Sequence, residues 1–332
     1  MKVFQYLRPS KVQDAIRAVS SDPGARFIAG GTNLIDLMKR GIVAPNKLVD
    51  INHLPLKRIN YQSGRLKIGA LALNSEVAAH PIVLAKQPLL AQALNAGASG
   101  QLRNMATVGG NALQQTRCPY FYDIAFPCNK RQPGSGCAAV EGINRIHAIF
   151  GVEKETATQS CIAVHPSDMS VALAALDAEV TIAGTGGERK IPFTSLHRLP
   201  GDQPERNTTL ERNELITGIE IPDNGFGKHA HYLKVRDRAS FAFAIVSVAA
   251  VLDIKDSRIN TARLVMGGVA HKPWRLFEAE QHLVGKPVSE AEFRQAAELG
   301  MRGAVTFGHN DYKLKMAPNA VVQALLYAAG LE

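Results

Sequence analysis

No run of apolar residues in this 332-residue chain approaches the length of a membrane span, and residues 1–10 hold no apolar core of signal-peptide length. The expectation is a chain with no membrane span and no export signal of its own. There is no arginine-rich run and no interleaved aromatic platform. The excess of 38 basic over 29 acidic residues, +9 in all, therefore reads as a solvated basic surface or a docking face for an acidic partner, not a nucleic-acid site. Catalytic motifs are equally scarce. Without a nucleophile elbow there is no support for a hydrolase. No His-x-x-x-His or His-Glu-x-x-His pair occurs, and His147, His165, His229, His231 and His271 assemble into no ligand set; His229 and His231 share a strand face but lack a third ligand. The glycine-rich segments match neither Gly-x-Gly-x-x-Gly nor the P-loop, which argues against the commonest nucleotide folds. There are only four cysteines, all between residues 118 and 161. A chain this long needs no disulfide staples, so metal is the better use for them. Their spacing, Cys-x9-Cys-x8-Cys-x23-Cys, contains no tight pair, so spacing alone leaves zinc, iron–sulfur and free thiols open.

What is present centres on residues 101–111, Gln-Leu-Arg-Asn-Met-Ala-Thr-Val-Gly-Gly-Asn, with a cysteine-bearing run at 117–137 directly behind. The first part offers a hydroxyl and backbone amides of the kind a diphosphate needs, in what reads as a loop. A cofactor cradle beside a thiolate cluster points to electron transfer. Hydrophobic content of 46% and charged content of 20% fit an ordinary globular protein of two or more domains.

In chain order, residues 3–6 read as a strand, and Ser10 caps a helix carrying Val12, Ala15, Ile16 and Val19. Residues 26–40 read as strand, glycine turn and helix. Gly30 and Gly31 would let backbone approach a ligand, with Thr32 and Asn33 as caps; a plain β–turn–α connection would use the same residues. Strands at 47–51 and 66–69 follow, then a helix over 74–80 with Asn74 or Ser75 as its cap and a second from Pro88 to Ala98. After residue 226 the pattern is a strand, an apolar segment at 241–251 that is strand or helix start, a strand at 263–270, a turn at 270–275 facing a flavin or a partner, and helices at 277–283, 289–301 and 318–330.

Several of these segments, in this order, resemble the flavin-binding subunits of the molybdenum hydroxylases, the family of xanthine dehydrogenase, carbon monoxide dehydrogenase and bacterial aldehyde oxidoreductases. They are Ala29-Gly-Gly-Thr-Asn33, Gln101-Leu-Arg-Asn104 with Thr107-Val-Gly-Gly-Asn111, His165-Pro-Ser-Asp168, Glu214-Leu-Ile-Thr-Gly-Ile-Glu-Ile-Pro222, Tyr232-Leu-Lys-Val-Arg-Asp-Arg-Ala-Ser240 and Ile245-Val-Ser-Val-Ala-Ala250. The resemblance covers essentially the whole chain. In most of that family the Gly-Gly-Asn segment runs shortly into Pro-x-Ser-Asp. Here a long insertion holding all four cysteines separates them. It is similar to that of the flavin subunit of a periplasmic aldehyde oxidoreductase, which also carries a [4Fe–4S] cluster; 4-hydroxybenzoyl-CoA reductase has a comparable insertion.

The resemblance implies an α+β fold. A two-subdomain, vanillyl-alcohol-oxidase-like FAD-binding domain would span 1–222, as subdomains 1–55 and 56–222 with a cluster-binding insertion at about 112–164. A smaller α+β domain, an antiparallel sheet with helices, would span 226–332. FAD would be held by Ile28, Ala29, Gly30, Gly31, Thr32, Asn33, Leu34 and Ile35 on one wall, and by Thr107, Gly109, Gly110 and Asn111 on the other. Asp168 would bond the cofactor's hydroxyls, or simply cap the helix that follows it; Ile216 would pack near the isoalloxazine and Lys234 would sit at its pyrimidine edge. Cys118, Cys128, Cys137 and Cys161 would ligate a [4Fe–4S] cluster, with Arg117, Lys130 and Arg131 offsetting its charge or facing solvent. Implied partners are a large molybdenum-cofactor subunit and a small [2Fe–2S] subunit. Substrate chemistry, aldehyde to acid, would occur on the large one, with no catalytic acid or base here. Export folded, on a signal-bearing partner, would place the chain in the periplasm; otherwise it stays in the cytoplasm. Two other readings remain: a stand-alone flavin oxidase or dehydrogenase with a structural zinc or disulfide site, and a flavin subunit of a 4-hydroxybenzoyl-CoA reductase-like enzyme.

Overall fold

A computed structural model describes residues 1–226 and 228–331. Gly227, beside the expected domain boundary, and Glu332, the last residue of the expected second domain, lie outside the described residues. The chain opens with β1 (Gln5–Leu7), α1 (Val12–Ser20), β2 (Ala25–Ile28), α2 (Leu34–Lys39) and β3 (Lys47–Asp50). The three strands form a parallel sheet in the order β1-β3-β2. Ala15, Ile16 and Val19 of α1 pack on Val49 and Ile51, because helical spacing puts them on one stripe. Lys11, not Ser10, occupies the N-cap, and its side chain makes no capping bond.

The second unit starts with β4 (Ile59–Gln62) and β5 (Arg65–Gly69), joined through Ser63 and Gly64, both at positive φ. Helices α3 (Asn74–Ala79), α4 (Pro81–Lys86), α5 (Pro88–Ala96), α6 (Gly100–Arg103) and α7 (Val108–Ala112) follow. Leu73 takes the cap of α3 in place of Asn74 or Ser75. Only two single-turn helices, α8 (Pro119–Tyr122) and α9 (Ala138–Glu141), occur among residues 113–167. Then come α10 (Asp168–Ala175), β6 (Glu179–Gly184), β7 (Gly187–Pro192) and β8 (Leu215–Pro222), which complete an antiparallel sheet in the order β4-β5-β8-β6-β7.

The last unit is an antiparallel sheet, β12-β11-β10-β9, of β9 (Ala230–Val235), β10 (Val246–Lys255), β11 (Arg258–Gly267) and β12 (Trp274–Arg275), with α11 (Phe277–Leu283), α12 (Glu290–Gly300) and α13 (Lys313–Ala329). Along β10, Val248, Ala250 and Leu252 face the core of the terminal helices, while Ala249 and Val251 join the core around α5 and α10. A sheet covered on both faces needs apolar residues at every position, so the alternation that marks a half-buried strand is missing. That is why 241–251 reads ambiguously in the sequence. α13 begins five residues before Pro318, the expected start; the proline sits inside the helix. The turn at 270–275 packs inward, where Trp274 stacks on Phe150 at 5.1 Å.

Candidate functional site

A cleft of about 1090 Å³ runs between the first two units and reaches the last one. On one side lie residues 28–34, on the other Thr107, Gly109, Gly110 and Asn111, with Asp168 and Ile216 also on its wall. The two sides touch. A Cβ placed on Gly30 would come within 1.8 Å of the Met105 carbonyl oxygen, so only glycine permits this approach. Gly31 adopts φ +72°, and Ile35 folds back toward it.

The two sides offer different chemistry. Among the described residues no hydrogen bond engages the N–H groups of Gly30, Gly31, Thr32 or Asn33, which leaves consecutive donors for an anion. Opposite them, the amides are already committed. Gly109 N–H donates to Ala70 O (2.8 Å), Gly110 N–H to Thr107 Oγ1 (3.2 Å) and Asn111 N–H to Thr107 O (2.8 Å). The expected loop is therefore a helical turn capped by Thr107, and its amides are not available to a diphosphate.

Asn33 occupies the N-cap of α2, but its side chain makes no capping bond. Its Oδ1 accepts from Gln115 N–H (2.8 Å) and its Nδ2 donates to Tyr122 Oη (3.3 Å), so it fastens the glycine turn to the cysteine-bearing segment. That segment leaves and returns at one place: Ser167 Oγ donates to Asn111 Oδ1 at 2.8 Å, closing 56 residues of chain. Ser167 also caps α10 by accepting from Ser170 N–H, which removes the capping role considered for Asp168. The Asp168 carboxylate instead accepts from Tyr232 Oη (2.6 Å) and Lys234 Nζ (2.8 Å), and Lys234 donates to Ala96 O as well. Both charged side chains are almost fully buried. Asp168 lines the cleft, whereas Lys234 reaches its carboxylate from β9 without lining it. Beside this carboxylate, burial holds the Tyr232 phenol well above its usual range.

The four cysteines come together around one small cavity, also lined by Phe121, Pro127 and Ala163. Cys128 and Cys137 face each other across an antiparallel bridge, with Gly134 and Gly136 at positive φ in the turn between them. Asn129 holds the pieces in place: its Oδ1 accepts from Gly136 N–H and its Nδ2 donates to the carbonyls of Thr158 and Ser160, next to Cys161. All four are free thiols. Burial raises the cost of ionising three of them, pushing Cys118 up to about 12, Cys161 to about 11 and Cys137 upward. Among the described residues no three His, Cys, Asp or Glu side chains lie close enough to hold a single metal ion. Cys118 lines both the small cavity and the large cleft.

Lys130 is buried and donates to Pro204 O (2.7 Å) and to Asn207, and Arg131 donates to the Tyr120 and Phe121 carbonyls at 2.9 Å. Neither simply faces solvent, so both brace the walls of the cysteine cavity. Arg117 lies over the Phe243 ring at 5.1 Å, on the rim of the cleft. His229 and His231 meet α13 through Ala328 O and the Tyr327 ring. Sequence reasoning missed Tyr232, Tyr122, Gln115, Asn129 and Ser167, each of which contacts residues far away in the chain. It also missed His197, which is buried, held down to about 4 by desolvation, and bonded to Ala112 O at 2.8 Å.

Residues 2–224 match the model of the FAD binding domain in molybdopterin dehydrogenase, and residues 231–328 that of the CO dehydrogenase flavoprotein C-terminal domain. The chain is 51% identical over 285 residues to the aldehyde oxidoreductase FAD-binding subunit PaoB of Escherichia coli, covering 85% of this chain and 86% of that one. It is 26% identical to the carbon monoxide dehydrogenase medium chain of Hydrogenophaga pseudoflava, over 97% of this chain and 96% of that one. A chain of quinoline 2-oxidoreductase from Pseudomonas putida superposes with a TM-score of 0.76 at 27% identity, covering 99% of both. The paired domains, the glycine-lined cleft and these likenesses along nearly the full length lead to one conclusion: the chain belongs to the FAD-binding subunits of the molybdenum hydroxylases, a family of oxidoreductases.

Proposed function

We propose that this chain is the FAD- and [4Fe–4S]-carrying electron-transfer subunit of a molybdenum-dependent aldehyde oxidoreductase. The observation that carries the reading is the shared wall: Cys118 belongs both to the cleft that fits a flavin dinucleotide and to the cavity that gathers four thiols. The aldehyde oxidoreductase subunit to which it is 51% identical over 285 residues supports the choice of substrate class.

The residues present fit both groups. The cleft volume lies at the upper end of the roughly 300–1,000 Å³ typical of ligand sites, as a dinucleotide requires. The unengaged amides of Gly30 to Asn33 would take the diphosphate, while Ile28, Ala29, Leu34 and Ile35 shape the turn. From the opposite side, Asn111 and Thr107 would contribute side-chain and packing contacts rather than amides. The Asp168 carboxylate has lone pairs left after Tyr232 and Lys234 and would accept from a cofactor hydroxyl. Lys234 then acts through Asp168, pairing with its carboxylate and fixing it in a dry site. Ile216 supplies an apolar wall. The four thiols are too dispersed for one zinc ion yet ring a common cavity, as ligands of a four-iron cluster would. When bound, FAD supplies a two-electron carrier and the cluster a one-electron carrier; the protein's task is to exclude water and hold the two close together.

Electrons from aldehyde oxidation on a large molybdenum-cofactor partner would arrive through a small [2Fe–2S] partner and leave to an external acceptor. The complex would be a heterotrimer, carried to the periplasm by a signal-bearing partner. The match of residues 231–328 to the CO dehydrogenase flavoprotein C-terminal domain disfavours the stand-alone oxidase. The test is the visible spectrum of the purified protein with iron and acid-labile sulfide analysis. Flavin bands with about four irons per chain support the reading. Flavin without iron removes the cluster, and neither chromophore removes the whole proposal.

A further inference from the structure

The four thiols are not equivalent. Backbone N–H groups of Tyr120 and Phe121 approach Cys118, those of Ala139, Val140 and Ile162 approach Cys137, and that of Ala163 lies 3.5 Å from Cys161 Sγ. Among the described residues only Cys118 also has a side-chain partner. His147 Nε2 lies 3.1 Å from its Sγ. The imidazole is buried, and its Nδ1 has no hydrogen-bond partner at all. A buried ring nitrogen left unpaired is a cost that a residue serving only the fold would not carry. The one polar contact the ring makes is with sulfur.

The position of this ring is fixed from the last domain. Its backbone N–H donates to Asn144 O (3.0 Å), and its carbonyl accepts from Lys313 Nζ (2.8 Å), a fully buried side chain that also binds Gly268 O (2.7 Å). Asn144 in turn donates to Phe307 O at 2.8 Å. His147 lines the large cleft alongside Cys118. An iron-bound sulfur carries no proton and can only accept, so the hydrogen in this contact belongs to Nε2.

We propose that His147 is a tuning residue: its N–H···S bond to Cys118 raises the reduction potential of the cluster at the ligand that forms the common wall with the flavin cleft. Reduction adds one electron to the cluster, with no bond formed or broken and no proton moved. The added negative charge spreads onto the sulfurs, so a donor at sulfur stabilises the reduced form more than the oxidised one. This inference rests on the iron–sulfur reading above.

The experiment is an EPR-monitored redox titration of the intact complex carrying His147→Leu, which removes the donor, and His147→Gln, which keeps one. The expected result is a lower cluster potential in His147→Leu, about a tenfold change in the oxidised-to-reduced ratio at a set ambient potential, or ~59 mV for a one-electron couple. The flavin potential should be unchanged, and His147→Gln should recover part of the shift. An unchanged cluster potential with iron content intact overturns the inference and leaves the cluster reading standing. If His147→Leu loses its iron, the unsubstituted complex labelled with 15N-histidine decides: pulsed EPR showing a histidine nitrogen coupled to the reduced cluster supports the bond, and no such coupling overturns it. Absence of iron from the unsubstituted complex overturns both.

Discussion

The glycine-lined cleft and the cysteine cavity share a wall but are built on opposite principles. The cleft is made mainly of backbone. Its donors are amides left over from a tight turn, and its shape depends on Gly30 having no side chain where Met105 passes. The cavity is made of side chains set in a segment with almost no regular structure, held by Asn129, Lys130 and Arg131 in place of a sheet or helix ladder. A backbone site is easily destroyed by adding an atom, a side-chain site by removing one. Asn33 and the Asn111–Ser167 contact couple the two, so each region depends in part on the other for its geometry.

The sharpest way to separate the regions is Cys137→Ser. It should abolish the iron content while leaving FAD bound, measured as iron per chain against flavin absorbance; equal loss of both would show that the cleft cannot form without the cluster. The reverse experiment is Gly30→Val. Its side chain would overlap the Met105 carbonyl, so FAD should bind about 100-fold more weakly or not at all, near 3 kcal/mol, with iron retained. Isothermal titration of the apoprotein with FAD checks this.

Between these extremes lies Lys234→Met, which leaves the buried Asp168 charge unpaired. A destabilisation of about 3–5 kcal/mol is expected in denaturant melts, and adding Asp168→Asn should restore part of it, because the two changes remove one interaction. Buried histidines provide a pH test across both regions. His197 is held at about 4, and His165 and His271 well below their usual value, mainly by burial. The unfolded chain therefore binds protons that the folded one does not, so stability falls as pH drops from about 6.5 toward 4, by ~3 kcal/mol for His197 alone. A melting temperature that stays flat over that window would contradict it. The smallest effect is expected for Asn33→Ala, about 1–2 kcal/mol from two lost hydrogen bonds. It should loosen FAD and iron together, because Asn33 bonds to both regions.

Much of the first unit was legible because its signals are local. Helical spacing in α1 depends on a few neighbouring residues. The Gly30–Gly31 turn was visible too, though glycines alone serve an ordinary turn equally well. That residues 107–111 form a helical turn was not legible, because the acceptors of the 109–111 amides, Ala70 O and the Thr107 cap, depend on a conformation that five residues cannot announce. Similarly, Asp168 looked like a cap because Ser167 beside it has the same capability, and only the contact of Lys234 and Tyr232 with its carboxylate distinguishes the two.

The sequence by itself determined the inventory: two glycine-rich segments, four cysteines confined to one insertion, an ordered set of motifs, and an apolar segment at 241–251. Those features are encoded in residue type and order. Tertiary structure alone decided which amides remain open, that the thiols ring one cavity sharing Cys118 with the cleft, and that a histidine rejected as a ligand touches that same sulfur. The physical reason is range. Residue types and short spacings fix local conformation, whereas a donor's availability depends on whichever atom, dozens of residues away, the fold brings within 3 Å of it.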